Sequence, residues 1–285
     1  QMLRDLERVE YRVCETELEA EVVELRLIAE HTPRYNRRSR PPRSQTWVKL
    51  TTERFPRLSM VRSVRNDAAL YLGPYRSRKA AEVVVHAIWD AVPIRRCNTT
   101  SATRSAACSY SQLGTALCPC DGSVEDAVYQ AVVDRVRNGI DDDPALMLNA
   151  LRDRMSRLAR EQRFEDAAEV RDRHQSLARA IERRRAWQSL TAAGTVWAEE
   201  ANGDGVAIRH GRLVASWNAR SQPPLVAAED PATATPQNPD SVRAAEEANL
   251  LWRWLEREGV TILQSTGSLA LPVRGIPSLV ELRDG

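Results

Sequence analysis

The order of apolar and polar positions predicts short strands alternating with amphipathic helices along the chain. Near the start, Val9, Tyr11 and Val13 alternate with polar residues, which is typical of a strand. Thr16 then matches a helix N-cap, and Glu19 stands three residues later, where a capping box needs it. The helix that follows carries one apolar stripe, made of Leu18, Val22, Leu25, Ile28 and Ala29. We therefore expect a strand and then a helix within residues 1–30.

The next part of the chain predicts a small sheet, a helix and an irregular loop. Residues 46–75 favour strands, with WVKLTT and RLSMVRSV separated by the turn-prone ERFP. The motif YLGPYRS predicts a tight turn at Gly73–Pro74, followed by a helix capped by Ser77. Residues 97–122 show no hydrophobic period, and we expect a loop there.

Residues 123–187 are predicted to be helical. Ser123 and Asp126 match a capping signature, and Asp143–Pro144 precede a long apolar period. A break near residues 160–163 separates this helix from a second one that begins at Phe164. The narrow apolar seam of the two helices indicates an αα-hairpin of the kind found in coiled-coil partners.

The last ninety residues predict a small α+β segment. Residues 195–219 favour strands with hairpin turns at 202–205 and 210–211. A linker rich in Pro and Ala follows at 221–239, then a helix through Leu250–Leu255 and short strands around 260–263 and 268–273. The predicted fold class of the whole chain is α+β.

Positive charge is concentrated in one stretch of the chain. The net charge is only +2, yet residues 31–105 contain sixteen basic and four acidic residues. Such a stretch suits a polyphosphate partner, because each neutralised phosphate releases condensed counterions. A solvated surface loop is the alternative. No apolar run approaches the roughly 18 residues of a membrane span, so the sequence predicts a cytoplasmic protein without a membrane segment.

The first residue is Gln1, and it falls inside a predicted element without a preceding turn signal. We therefore expect the chain to be the C-terminal portion of a longer protein.

Four of the five cysteines lie within residues 97–122. We expect no secretory leader, and this clustering then favours a thiolate metal site or an iron–sulfur cluster over a disulfide framework. A reduced, empty loop is the alternative. The fifth cysteine, Cys14, is expected to be an ordinary core residue, and the four histidines show no metal-ligand spacing.

Four motifs stand in one order: VELRLIAEHTPRYN, YLGPYRS, PIRRC and RFEDAAEVRDRHQSL. Together they resemble the UvrC family, the endonuclease subunit of the excinuclease that performs nucleotide excision repair. The resemblance extends over about residues 1–187 and is strongest to UvrC-related proteins in which a DEDD-type exonuclease precedes a GIY-YIG domain. It implies four segments. They are a truncated GIY-YIG remnant at 1–45, a middle region with the cysteines at 46–122, a helical UVR region at 123–190, and a small domain of unknown role at 195–285.

The first segment resembles the end of a GIY-YIG nuclease domain. The resemblance implies that Glu24 ligates one Mg²⁺ or Mn²⁺ ion and that Asn36, which matches the Asn at the end of the family segment, is also a catalytic residue. From the pattern alone, Glu24 either binds a cation or reaches out to water. The family's catalytic Tyr and Arg have no counterpart in this sequence, so we expect the chain to be inactive as a nuclease unless a complete domain is supplied.

The cysteine segment resembles the iron–sulfur segment of the family, with one departure. Cys97, Cys108 and Cys120 match three ligand positions, whereas the remaining position is Ala116 and Cys118 stands two residues later. Four soft thiolates suit a [4Fe–4S] cluster or a tetrahedral zinc ion.

The resemblance also implies the partners. The UVR hairpin of the family docks onto UvrB, and the matching residues are Phe164, Ala167, Ala168, Arg171 and Asp172. A self-contained core hairpin is the alternative. The basic residues assigned to DNA are Arg34, Arg37, Arg38, Arg40, Arg76, Arg78 and Lys79. The predicted function is that of a DNA-repair protein of the UvrC type. The rival hypothesis is a non-catalytic adaptor, derived from UvrC, that binds DNA or protein.

Overall fold

The computed structural model describes residues 8–36, 42, 44–98, 107–226, 236–270, 275–277 and 279. These residues form seven α-helices and two antiparallel sheets, so the predicted α+β class is confirmed. No helix among them is both long enough and apolar enough to cross a bilayer. The elements in chain order are α1 (Glu17–His31), β1 (Thr46–Leu50), β2 (Leu58–Val61), β3 (Leu70–Tyr75), α2 (Arg78–Ala91), α3 (Ser109–Gln112), α4 (Asp126–Asp141), α5 (Ala145–Arg160), α6 (Phe164–Ala192), β4 (Thr195–Glu200), β5 (Gly205–Arg209), β6 (Arg212–Trp217), α7 (Val242–Leu255) and β7 (Val260–Ser265).

The chain divides into two compact units. We call Ser44–Arg185 with Pro272–Gly285 the cysteine unit, and Gln1–Arg43 with Ala186–Leu271 the flanking unit. The helix α1, assigned by resemblance to a nuclease remnant, therefore folds together with the C-terminal segment.

The cysteine unit is built on a three-stranded sheet of order β2-β1-β3. Helix α2 packs against this sheet, and α4, α5 and the first part of α6 complete one apolar core. The predicted cap of α2 is confirmed, because the hydroxyl of Ser77 accepts a hydrogen bond from the N–H of Ala80 at 3.2 Å. The break between α5 and α6 also lies where the sequence predicts it, at residues 161–163.

Two local predictions in this unit are wrong. Gly73 and Pro74 lie inside β3 rather than in a tight turn, and an irregularity in the β1–β3 register accommodates them. Ser123 and Asp126 do not form a cap. Glu125 precedes α4 without a side-chain bond, while the Asp126 carboxylate binds Arg54 at 2.8 Å instead. The Asp126 carboxylate, which the sequence pattern assigns to a backbone N–H of the helix start, thus accepts from the exposed guanidinium of Arg54 instead.

The flanking unit contains a four-stranded sheet of order β6-β5-β4-β7, with α1 and α7 packed together against it. The predicted cap of α1 is confirmed, since the N–H of Glu19 donates to the hydroxyl of Thr16 at 3.1 Å. The carboxylate of Glu19 accepts instead from the N–H of Glu15 at 2.8 Å. The turns between β4, β5 and β6 fall at the predicted positions.

The strand predicted at Val9–Val13 is absent from the structure of residues 8–14. Its three apolar side chains are 76–88% exposed, and no strand among the described residues pairs with them. Cys14, expected in a core, is only half-buried. Alternation alone does not form a strand, because a strand needs a partner for its backbone groups. The strand predicted at 268–273 is likewise absent over 268–270, and residues 271–273 lie outside the described residues.

Candidate metal centre and binding surfaces

The cysteine segment is fixed at its base by contacts from both sides. The N–H of Leu117 donates to the carbonyl of Pro93 at 2.7 Å and so joins the two ends of the loop. The N–H of Arg95 donates to the hydroxyl of Tyr129 at 3.1 Å, and that hydroxyl donates to the carbonyl of Pro56. The buried Tyr129 of α4 thus ties the start of the cysteine loop to the core.

Four thiols meet inside this loop. The sulfur atoms of Cys97, Cys108 and Cys118 all lie within 4.8 Å of one another. Cys120 joins the group, since its sulfur accepts from the N–H of Cys108 at 3.4 Å. All four thiols are free and buried, and Ala116 packs among them. The loop therefore presents one buried cluster of soft ligands.

The spacing of the sulfur atoms distinguishes two kinds of metal centre. Thiolates around one tetrahedral zinc, at Zn–S distances of about 2.3 Å, lie about 3.8 Å apart. The thiolates of a [4Fe–4S] cluster are further apart, because each binds a different iron. The sulfur atoms of Cys97, Cys108 and Cys118 lie close enough to share one ion, and Cys120 is not part of that group of three.

Burial works against thiolate formation in this cluster. It raises the pKa of Cys118 to about 12 and also raises the pKa of Cys120. Burial opposes ionisation of Cys108 as well, but hydrogen bonds from backbone N–H groups, first that of Ser111, hold its pKa below the usual value. Backbone N–H groups of Arg96 and Cys97 also point at the Cys118 sulfur. Such N–H donors are the partners that stabilise metal-bound thiolates.

The residues matched to the UVR motif lie on α6, where they occupy two faces. Ala167 is only 8% exposed and packs in the core of its own unit with Val170 and Leu177. Phe164 is 66% exposed. The predicted single seam is thus divided into an inner face, covered by the chain itself, and an outer face. We define the outer face by its exposed or half-buried members, Phe164, Ala168, Arg171 and Asp172.

The two charged residues of the outer face form an ion pair with each other. The guanidinium of Arg171 binds the carboxylate of its neighbour Asp172 at 2.9 Å, and both side chains are more than half exposed. The two residues are therefore available to exchange this contact for one with another protein.

The basic residues assigned to DNA fall on both units. Lys79 and Arg78 are exposed in the first turn of α2, with Arg78 bound to Glu82 at 2.9 Å, and Arg76 is half-buried just before the helix. Arg34 belongs to the flanking unit, where its guanidinium lies 5.9 Å from the ring centre of Tyr35. Arg37, Arg38 and Arg40 lie outside the described residues.

Glu24 and Asn36 are both exposed in the flanking unit. Helix α1 buries Leu18, Val22, Val23 and Ile28, whereas Glu24 stays exposed. In the described part of the chain, Cys97, Cys108 and Cys118 are the one group of three or more potential ligands close enough to share a metal ion. Glu24 does not belong to such a group.

Two arrangements have no counterpart in the sequence-based prediction. Asp90 of α2 binds Arg154 of α5 at 3.2 Å and Arg173 of α6 at 2.5 Å. Next to it, Trp89 stacks on His86 with ring centres 5.3 Å apart. The spacing of three residues between His86 and Trp89 is a usable signal, because such residues are neighbours on a helix surface.

Comparisons with known proteins support the recognition of these parts. Residues 45–139 match the family model of the UvrC/Cho excinuclease middle domain, and residues 146–179 match that of the UvrB/uvrC motif. The first match contains all four clustered cysteines, and the second contains the outer face of α6. No solved structure matches the chain.

Individual relatives extend beyond this chain. A protein of Mycobacterium tuberculosis, named as a bifunctional exonuclease/endonuclease, is 35% identical over 93% of this chain and 43% of its own length. The UvrABC system protein C of Moorella thermoacetica is 33% identical over 65% of this chain and 30% of its own length. The same protein of Syntrophotalea carbinolica gives the same values. The chain therefore spans less than half of the relatives that it matches.

Proposed function

This chain is related to UvrC, with a UvrC-type middle domain at residues 45–139 and a UVR motif at 146–179, and from that premise we propose its function. It is a DNA-repair protein of the UvrC type. It binds DNA through its basic residues and docks a UVR-containing partner such as UvrB through the outer face of α6.

The observation that carries the docking proposal is the exposure of Phe164. This side chain is 66% exposed, although Ala167 and Val170 close to it in the motif are buried. Phe164, Ala168, Arg171 and Asp172 recur at helical spacing, so they follow one side of α6. An exposed aromatic ring beside a small alanine and a charged pair is the composition of an interface hot spot with a polar rim.

The partner is expected to cover the Phe164 ring with a helix of its own. Replacing Phe164 with Ala should weaken binding to UvrB by about 30- to 1000-fold, which corresponds to roughly 2–4 kcal/mol at a central hot spot. The melting temperature should stay unchanged, because the ring contributes little to the core of this chain. Isothermal titration with UvrB and thermal unfolding measure the two quantities on the same variant.

Val128→Ala is the matched control for this experiment. Val128 is 51% exposed on α4 of the same unit, and the change again removes an exposed apolar side chain. It should alter neither affinity nor melting temperature. If Phe164→Ala lowers the melting temperature and leaves UvrB binding intact, the hairpin is scaffold and the docking proposal fails.

DNA binding is supported by the concentration of basic residues in 31–105. Of the described basic residues there, Lys79 is the most suitable probe, since it is exposed at the start of α2. Lys79→Ala should weaken binding about equally for all sequences and reduce the salt slope of log Kd by about 1. An unchanged salt slope would exclude Lys79 from the contact with phosphate.

We also propose that Cys97, Cys108, Cys118 and Cys120 hold a zinc ion or a [4Fe–4S] cluster. Such a centre cross-links the cysteine loop, which has few apolar side chains of its own to stabilise it. The carbonyl of Pro93 and the hydroxyl of Tyr129 fix both ends of that loop, so the chain brings the thiols together and the metal holds them.

A non-catalytic adaptor is the second candidate, and one observation favours it. Glu24 is exposed and belongs to no group of three or more potential ligands in the described part. Both candidates include docking and DNA binding, and they differ in whether Glu24 supports cleavage.

A further inference from the structure

Four planar side chains form a continuous stack beside the cysteine loop. The imidazole of His86 and the indole of Trp89 lie 5.3 Å apart at an interplanar angle of 24°. The guanidinium carbon of Arg96 lies 5.2 Å from the centre of the Trp89 ring and 6.0 Å from that of Tyr110. The stack thus runs from α2 through the residue before Cys97 to α3.

Both ends of the stack reach the surface. His86 is exposed on α2, and Tyr110 is 41% exposed on α3. Arg96 and Trp89 are half-buried between them, and the Arg96 guanidinium donates to the carbonyl of Trp89 at 3.0 Å. Trp89 and Arg96 are therefore held between their neighbours, and the two rings at the ends of the stack keep part of their surface exposed.

The charge around the stack is positive. Arg96, Arg154 and Arg173 surround the carboxylate of Asp90, which binds the last two directly. Arg173 also binds Glu169. Three guanidiniums thus face two carboxylates, and Arg96 itself has no carboxylate bound to it among the described residues. This surface therefore favours a negatively charged partner over a positively charged one.

We propose that this stack receives an unpaired base of DNA. The inference rests on the proposed function and makes it more specific, because it states that the DNA bound by the chain is single-stranded or opened. Aromatic rings and guanidinium planes stack on any base and add affinity without reading sequence. A base in a duplex is already covered by its neighbours, so the stack selects single-stranded or opened DNA over closed duplex.

The test uses the full 285-residue chain, with fluorescence anisotropy on an oligothymidylate and on a duplex of equal length. His86→Ala and Tyr110→Ala should each weaken binding to the single strand about tenfold. Binding to the duplex should change less than about twofold, because phosphate contacts dominate it. Both substitutions are at exposed positions, and alanine suits the helix that carries His86.

Leu113→Ala is the matched control, since Leu113 is 74% exposed just after Tyr110. It should leave both affinities unchanged. Tyr110→Phe should retain the affinity for the single strand, because it keeps the ring and loses only the hydroxyl.

The outcomes separate the inference from the function on which it rests. If the unaltered chain binds neither DNA, the proposed DNA-binding function fails. If it binds both, and Tyr110→Ala weakens neither or both equally, the function stands and the stacking inference is overturned. Loss of metal and of melting temperature in Tyr110→Ala, with DNA affinity intact, would also overturn it and make the stack a clamp for the cysteine loop.

Discussion

Glu247 of α7 and Arg26 of α1 form a two-point ion pair inside the flanking unit. One carboxylate oxygen lies 2.5 Å from Nη2 of Arg26, and the other lies 3.2 Å from Nε. The same carboxylate accepts from the N–H of Leu213 at 2.9 Å, and Arg26 donates to the carbonyl of Leu213 at 2.7 Å. Since the Glu247 side chain is 1% exposed, the pair joins α1, α7 and β6 through buried contacts.

Removing Glu247 should therefore destabilise the flanking unit strongly. Glu247→Ala should lower the free energy of unfolding by about 3–5 kcal/mol, because it leaves a buried N–H and a partly buried guanidinium unpaired. Arg26→Ala should cost at least as much, because it leaves the carboxylate of Glu247, whose side chain is only 1% exposed, buried without its counter-charge. Denaturant unfolding of both single variants and the double variant measures the coupling.

Arg253→Ala serves as the control on the same helix, because Arg253 is exposed. It should change the free energy of unfolding by less than about 0.5 kcal/mol. Equal effects of Glu247→Ala and Arg253→Ala would show that the buried pair does not hold α1 to the sheet.

The purified protein should contain either about one zinc per chain or iron with sulfide. The reason is the buried cluster of four free thiols, which soft metals prefer. Changing Cys97, Cys108, Cys118 or Cys120 to Ser should reduce the metal content measured by elemental analysis after anaerobic purification. The melting temperature should fall with it, because the metal cross-links the loop.

Cys14→Ser provides the matched control, as Cys14 lies in the flanking unit outside the cluster. It should leave the metal content unchanged. Absence of both metals at meaningful stoichiometry would favour the empty-loop alternative.

The 285-residue chain should bind plasmid DNA without nicking it in Mg²⁺ or Mn²⁺. The Tyr and Arg that the UvrC resemblance assigns to catalysis have no counterpart in this sequence, and Glu24 belongs to no group of three or more potential ligands among the described residues. Gel electrophoresis of supercoiled plasmid measures the reaction. Nicking that survives stringent purification and disappears in Glu24→Ala would refute this prediction and favour the enzyme over the adaptor.

Stability should fall as the pH drops below about 6.5, because of His174. Burial, with a smaller effect from the nearby Arg152, lowers the pKa of His174 from its ordinary 6.5. The ring is 3% exposed, and its Nδ1 has no hydrogen-bond partner in the described structure. Below pH 6.5 the unfolded chain therefore takes up a proton that the folded chain does not, which favours unfolding. The loss ends once the pH passes below the lowered pKa.

Thermal unfolding between pH 7.5 and 5 measures this effect. His174→Gln should flatten the dependence in that window, whereas His86→Gln, at an exposed position, should preserve it. The Lys49 ammonium holds the pKa of Asp67 below its ordinary 3.8, so that carboxylate acts only at lower pH. A pH profile that His174→Gln leaves unchanged would assign the dependence to another group.

Local signals predicted the elements that depend on local bonds. The caps at Thr16 and Ser77 and the turns between β4, β5 and β6 involve residues a few positions apart, and all are confirmed. The strand at Val9–Val13 is wrong because its partner would have to come from elsewhere in the chain. The same limit applies to Glu247 and Arg26, which are 221 residues apart and have no sequence signal in common.

The candidate sites divide in the same way. The four cysteines are close in sequence, so their proximity in space could be expected. The stack on Trp89 could not be predicted from the sequence, because it forms only when α2 and the cysteine loop place Arg96 between two rings. The division of the α6 seam, with Ala167 inside and Phe164 outside, depends on which helices of the same unit cover it.

The backbone bond between Leu117 and Pro93 has a consequence for the spacing of the ligands. It closes the cysteine loop at its base, so the residues between these two positions form a segment whose ends are already held together. The entropy of closing such a segment changes slowly with length, by about 0.6 kcal/mol for each doubling. Ala116 is the last residue inside this closed segment, and Cys118 follows directly after Leu117, so both positions lie beside the fixed base. Insertions and deletions between Pro93 and Leu117 should accordingly change the free energy of unfolding little, provided that the backbone bond at the base is kept.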